Sequence, residues 1–293
     1  MRTDRSKNNF ATNMIVSLKD DKWLQYQRIA GRIASDALIA LEKEVENRTQ
    51  LSMIDLNAMA EEIITKAGGI PTFKGYGSKS NPFPTGVCIS INQALVHGIP
   101  TDYKLKEGDI VSFDLGVTIE GAIADTAITC VYGGLANARS HHRVVVSKTQ
   151  HALEQGIRAI KVGNRLGCIG QAIYKTARSA GDVCVINNYG GHGLDWNLAH
   201  AAPFVANKST DTEGIFIQPG LTLAIEPMLV CGSDATTTTG KDGWTVYTKD
   251  IGAHWEHSVF VHQDHVEVIT HRSNEKFPNK IYFDRNSDNQ ESQ

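Results

Sequence analysis

No stretch of the sequence is long and apolar enough to span a bilayer, and the opening residues, MRTDRSKNNFATN, are too polar for a signal peptide. A membrane protein and a secreted one are thereby set aside, and the cytoplasm is the expected compartment. Surplus charge is missing too: the formal net charge is −3, which gives no electrostatic grip on nucleic acid or on an anionic membrane. The five cysteines, an odd number without a C-x-x-C pair, fit neither a disulfide framework nor a zinc knuckle and read as reduced, mostly buried thiols. Nor does any linker rich in proline, glycine or serine divide the chain, which favours one domain over two.

What is present is a chain of 293 residues, 41% hydrophobic and 21% charged, enough for one large core. Residues 1–13 read as a polar tail, 14–272 as a single folded domain and 273–293 as a polar C-terminal extension. Trp23, Ile29, Ile33, Ala37, Leu38 and Leu41 recur at helical spacing, and a second helix starts at the N-cap Ser52 and stops at Gly68-Gly69. Two further helices follow, in RVVVSKTQHALEQGIRAI and LGCIGQAIYKTARSAG. Leu56, Ala60, Ile64 and Gly68 superpose on Ile169, Ile173, Ala177 and Gly181 at one constant offset. The chain therefore reads as two related halves, each helical and then strand-rich, packed as one unit.

The stretch VSFDLGVTIEGAIADTAIT reads as a strand-forming hairpin turning at Glu120-Gly121, interrupted by two aspartates. With that turn Asp125 faces Gly116, so Asp114 and Asp125 fall on one face as diagonal neighbours, backbones about 7–8 Å apart. Each aspartate alone reads as readily as an edge charge or a turn cap. Together on a buried sheet they would repel unless one were protonated or a cation lay between them. Three later segments add donors at strand ends or turns: His192 in NNYGGHGLDW, Glu226 in LTLAIEPML and Glu256 in HWEHSVFV. Four carboxylates and one imidazole make a mixed oxygen and nitrogen set suited to a pair of Mn, Fe, Co or Zn ions.

The segments LVHGIPTDYKLKEGDIVSFDLGV, ADTA, GGHGL, LTLAIEPML, DGWTVYTKD and WEHSVFV, in this order and spacing, make the chain resemble the type I methionine aminopeptidases. The resemblance implies an α+β pita-bread fold: a pseudo-twofold pair of α/β halves around a curved antiparallel sheet, with outer helices and a metal site between the halves. It implies that Asp114 chelates one divalent ion, Asp125 and Glu256 bridge two, and His192 and Glu226 hold the second. His97 would lie by the substrate amine and His200 by the scissile carbonyl, with Glu226 also shuttling a proton. Tyr76, Phe83, Cys88, His97 and Trp244 would form the methionine pocket. The sequence departs from the family in a longer segment between Tyr76 and Cys88, in Phe73, which stands where bacterial members often have cysteine, and in an unusual loop, DATTTTGKDGW, ahead of Trp244.

The activity so implied is removal of the initiator methionine from nascent chains whose second residue is small, by a monomer with two divalent ions. Its expected partners are nascent polypeptide N-termini and, at the site of synthesis, the ribosome; neither a specific nucleic acid nor a membrane is expected. Two rivals remain. One is an X-Pro dipeptidase or aminopeptidase of the same fold, which normally carries a further N-terminal domain. The other is a non-catalytic pita-bread binding protein, against which the complete ligand set argues. A type II enzyme is disfavoured by the short stretch between His192 and Glu226.

Overall fold

The computed structural model describes residues 16–179 and 181–283; the tail expected at 1–13 and residues 284–293 of the expected extension lie outside them. Helix α1 (Asp21–Glu46) begins where the Asp20 carboxylate accepts the Trp23 N–H at 2.9 Å. Trp23, Ala30, Ala34, Ala37, Leu38 and Leu41 form its buried stripe. Ile29, expected on that stripe, is exposed, because the helical phase puts Ala30 inward instead. Helix α2 (Met53–Lys66) opens with a capping box, in which Ser52 and Asp55 satisfy each other's backbone N–H groups. Helices α3 (Ser140–Arg158) and α4 (Gly167–Arg178) pack on each other as α1 and α2 do.

The internal repeat is visible in three dimensions. Leu56, Ala60 and Ile64 of α2 are buried, and so are Ile169, Ile173 and Ala177 of α4. Each helix is followed by a glycine in the left-handed region, Gly68 at φ +83° and Gly181 at φ +78°. A side chain with a Cβ rarely adopts that conformation, so a glycine stands shortly after each helix.

Seven strands carry the site: β1 (Val87–Ile91), β2 (Ile110–Ile119), β3 (Ala122–Val131), β4 (Gly190–Asp195), β5 (Leu198–Ala206), β6 (Thr222–Ile225) and β7 (Glu256–Val261). They lie side by side in the order β1-β2-β3-β7-β6-β4-β5 within a 10-stranded sheet, each neighbouring pair antiparallel. The β3–β7 contact joins the strands of the two halves. Helix α1 packs across β2 and β3, while α3 rests on the small sheet formed by Val183–Val185, Met228–Cys231 and Gly252–His254. The helices cover the outer side and leave the other face of the curled sheet for polar side chains.

Beyond Arg272 the chain stays in contact with the body. Phe277 is buried, Lys280–Tyr282 pairs with His265–Val268, and the buried Arg272 meets Glu275 at 2.8 Å. Among the described residues no helix is long and apolar enough to cross a membrane.

Candidate metal centre

The ladder register brings the five expected ligands onto one face. The β2–β3 hairpin turns through Glu120 and Gly121, both at positive φ, as a two-residue turn that follows the twist of its strands requires. Gly116 faces Asp125 and Asp114 faces Ala127, as the turn position dictates. Ala127 in turn faces Glu256 across the β3–β7 seam. On the far side of β7, Ile225 faces His257, so Glu226, one step past the end of β6, continues the register opposite Glu256. Ala224, two residues earlier and hence on the same face, is the partner of His192 on β4. One row across the sheet thus collects residues far apart in the chain.

The glycines around His192 are required by close approach. A Cβ on Gly191 would collide with the Ala224 carbonyl, and one on Gly193 with the Ala202 carbonyl. Without glycine at both, β5 and β6 could not close on β4 at the imidazole.

All five side chains are buried, with Asp125 1% and Glu256 2% exposed. Potential ligand atoms of Asp114, Asp125 and Glu256 lie within 4.8 Å of one another, and so do those of His192, Glu226 and Glu256. The two triplets share Glu256, and Asp125 reaches toward the second through His192 Nε2 at 4.0 Å. Oδ1 of Asp114, Oδ1 of Asp125 and Oε1 of Glu256 are buried without a hydrogen-bond partner. Native interiors rarely tolerate such atoms. Burial, with repulsion among the carboxylates, holds Asp114, Glu226 and Glu256 well above the ordinary carboxylate range, and burial pushes Asp125 up to about 7.

His192 has the tautomer and charge state that a metal ligand needs. Its Nδ1 faces the Gly193 carbonyl at 3.0 Å, which can only accept, so Nδ1 carries the proton and Nε2 offers its lone pair 3.5 Å from Glu226 Oε1. Burial, then the nearby His200, pushes its pKa down to about 3, so the ring is neutral at working pH. A neutral imidazole and four crowded carboxylates with orphaned oxygens fit a divalent pair; without cations the same cluster carries an uncompensated repulsion.

The remaining expected residues gather beside this cluster. A cavity of about 250 Å³ is lined by Tyr76, Phe83, Cys88, His97 and Trp244, with Phe73, Asp114 and His200 added. Its walls are aromatic and its volume suits one side chain. The Cys88 thiol, raised well above its usual pKa by burial and by Asp114, is a neutral donor toward Asp114. His97 follows the Ala94–Val96 strand in the left-handed region at φ +57°, and burial, with His200, lowers its pKa to about 4. His200 stands at the mouth, open to solvent yet walled in: its ring is 4.5 Å from that of His192 and 4.9 Å from that of Tyr76. Two register shifts, on either side of Ala201, disturb the β4–β5 ladder here, and such irregularities commonly re-aim a side chain.

The two unusual loops brace each other over the pocket. Asn81 Nδ2 donates to the Asp242 carbonyl at 3.1 Å, and Phe83 meets Trp244 edge to face at 5.3 Å. Phe73, which in the sequence stands out only as a departure from the family, lines the cavity. His254 was missed. It lies two residues before Glu256, the spacing that keeps strand residues on one side, and its Nε2 is 3.2 Å from Glu226 Oε2. A separate group of His262, His265 and Glu267 lies away from the ligand row. There Arg28 already engages both Glu267 oxygens, at 2.7 and 2.6 Å.

The chain matches metallopeptidase family M24 over residues 25–263. It is similar to a methionine aminopeptidase of Mycoplasma capricolum, 36% identical over 258 residues, covering 87% of this chain and 98% of that one. The crystal structure of a methionine aminopeptidase from Thermotoga maritima superposes with a TM-score of 0.81 at 32% identity, over 87% of this chain and 99% of that one. A Pyrococcus furiosus prolidase shares the fold alone, with a TM-score of 0.65 at 19% identity and only 65% of its own length covered.

Proposed function

Since the chain belongs to metallopeptidase family M24 and, within it, to the methionine aminopeptidases, we propose that Asp114, Asp125, His192, Glu226 and Glu256 hold two divalent ions, of Co, Mn, Fe or Zn, at the floor of a methionine pocket. The enzyme is a metal-dependent hydrolase of the pita-bread fold that removes N-terminal methionine. The observation that carries the site assignment is the row of buried, unpartnered carboxylate oxygens beside an aromatic cavity whose lining includes Asp114.

A bound divalent pair supplies a water whose pKa is lowered to about 7 and a Lewis acid for the scissile carbonyl. Phe73, Tyr76, Phe83, Cys88 and Trp244 take the methionine side chain, whose flexible thioether packs well on aromatic edges. The free α-amine is then fixed beside His97 and the ligand row, which confines cleavage to the first peptide bond. Glu226 takes the proton of the attacking water and returns it to the leaving amine. His200, at the mouth, donates an N–H to the oxyanion that develops on the carbonyl. Nascent chains with a small second residue are the substrates, in the cytoplasm and near the ribosome, and the enzyme acts as a monomer.

The test is release of free methionine from Met-Ala-Ser and Met-Lys-Ser by metal-free protein reconstituted with Co, Mn, Fe or Zn. Asp114→Asn runs alongside. Cleavage of the first peptide only, dependent on metal and lost in the variant, is expected. Metal binding without cleavage of either peptide would refute the reading, and cleavage of an Xaa-Pro peptide instead would transfer the site to the rival activity.

A further inference from the structure

The geometry points to His254 as a positioning residue that orients the Glu226 carboxylate toward the metal pair, a role that rests on the ligand reading above. The imidazole is 1% exposed, and neither ring nitrogen completes a hydrogen bond. Buried polar groups are nearly always hydrogen-bonded, so packing alone does not account for it.

Its backbone is fixed from two directions. The His254 N–H donates to the Thr129 hydroxyl at 2.9 Å, and that hydroxyl donates to the His254 carbonyl at 2.7 Å. Across the small sheet His254 faces Met228, which places its ring beside Glu226, two residues earlier on the same side. The result is the 3.2 Å approach of Nε2 to Glu226 Oε2, while Oε1 faces His192 at 3.5 Å. Glu226 is held between two imidazoles of different function. His192 turns its Nε2 toward Glu226 Oε1; His254 turns its Nε2 toward the other oxygen, where the Nε2–H tautomer would donate.

His254 is not itself a ligand in this arrangement. Its nitrogens are absent from both converging triplets, and Glu226 reaches the shared ligand Glu256 where His254 does not. Held at 3.2 Å from Oε2, the imidazole would keep the Glu226 carboxylate in the orientation that leaves Oε1 on the side of His192. Partners of this kind typically contribute 10–100-fold to metal affinity.

The experiment is calorimetric titration of Mn(II) and Co(II) into chelator-treated full-length protein, with the Co(II) absorption spectrum recorded in parallel. His254→Gln keeps an N–H donor; His254→Leu and His254→Met keep bulk without one. Expected are near-wild-type affinity and spectrum for the Gln variant, with affinity weakened about 10–100-fold and an altered spectrum for the other two. Thermal unfolding of the metal-free variants checks the fold. Wild-type affinity in the Leu and Met variants overturns the proposal, and so does equal weakening in the Gln variant, which would leave only a packing role. If Leu and Met do not fold, the Gln variant decides: retained affinity and spectrum support the role, and weakened binding overturns it. Asp114→Asn separates the two levels, because wild-type metal affinity in that variant would remove the ligand reading and the His254 role with it.

Discussion

Asp125→Asn is expected to stabilise the metal-free protein while removing its response to metal. In the folded protein burial lifts the Asp125 carboxyl from 3.8 to about 7. Between those values the folded state holds a proton that the unfolded chain has released, so this contribution to stability is fully present below about pH 4 and is lost as pH rises through about 7. The interval amounts to about 4 kcal/mol at most by pH 8. Asparagine keeps the shape and removes the charge, and it also relieves Asp114, Glu226 and Glu256, each raised partly by Asp125. Urea unfolding of chelator-treated wild type and variant, from pH 5 to 8, measures the effect. The wild type should lose stability with pH, and the variant should be flatter and more stable at pH 8. Added Mn(II) at a hundredfold excess over its dissociation constant should restore about 2.7 kcal/mol to the wild type and much less to the variant. Equal or lower stability of the variant at pH 8, with an unchanged pH slope, would show that the carboxylates are not crowded as described.

Two further outcomes follow from the cavity. His200→Ala should lower kcat on Met-Ala-Ser by about 10²–10³-fold, the usual cost of one oxyanion donor, with KM little changed; steady-state kinetics at saturating metal decide it. Gly77, at φ +99°, would place a Cβ 2.5 Å from the Trp244 ring, so Gly77→Ala should push Trp244 out of the pocket wall and raise KM about tenfold or more, with metal affinity from calorimetry unchanged.

The hairpin was legible because it is local. Glu120-Gly121 sets the turn, the turn sets the register, and the register puts Asp114 and Asp125 on one face without reference to the rest of the chain. The helices were legible for the same reason, through Ser52 as a cap and through the periodic stripe of α1, although a stripe fixes its phase only to within a residue, as Ile29 shows. His192, Glu226 and Glu256 were recognisable as donors at strand ends, but their convergence depends on β3 meeting β7 and β6 meeting β4, pairings between segments separated by up to 133 residues, as in the Asp125 N–H to Ser258 hydroxyl bond. His254 escaped notice because nothing in HWEHSVFV marks an imidazole as buried and unpartnered.

By itself the sequence determined the donor types, the strand and helix periodicities and the repeated α-then-β plan, since each follows from residue chemistry or from contacts within a few positions; the pocket residues were named only through the family resemblance. Only the tertiary structure decided that Glu256 is shared by two triplets of potential donors, that the loops carrying Asn81 and Trp244 brace each other, and that His254 stands against Glu226. Those relations are distances between surfaces brought together by folding. They depend on the summed register of a sheet closed across two halves, where a slip of one residue would turn the donors of a strand to the opposite face.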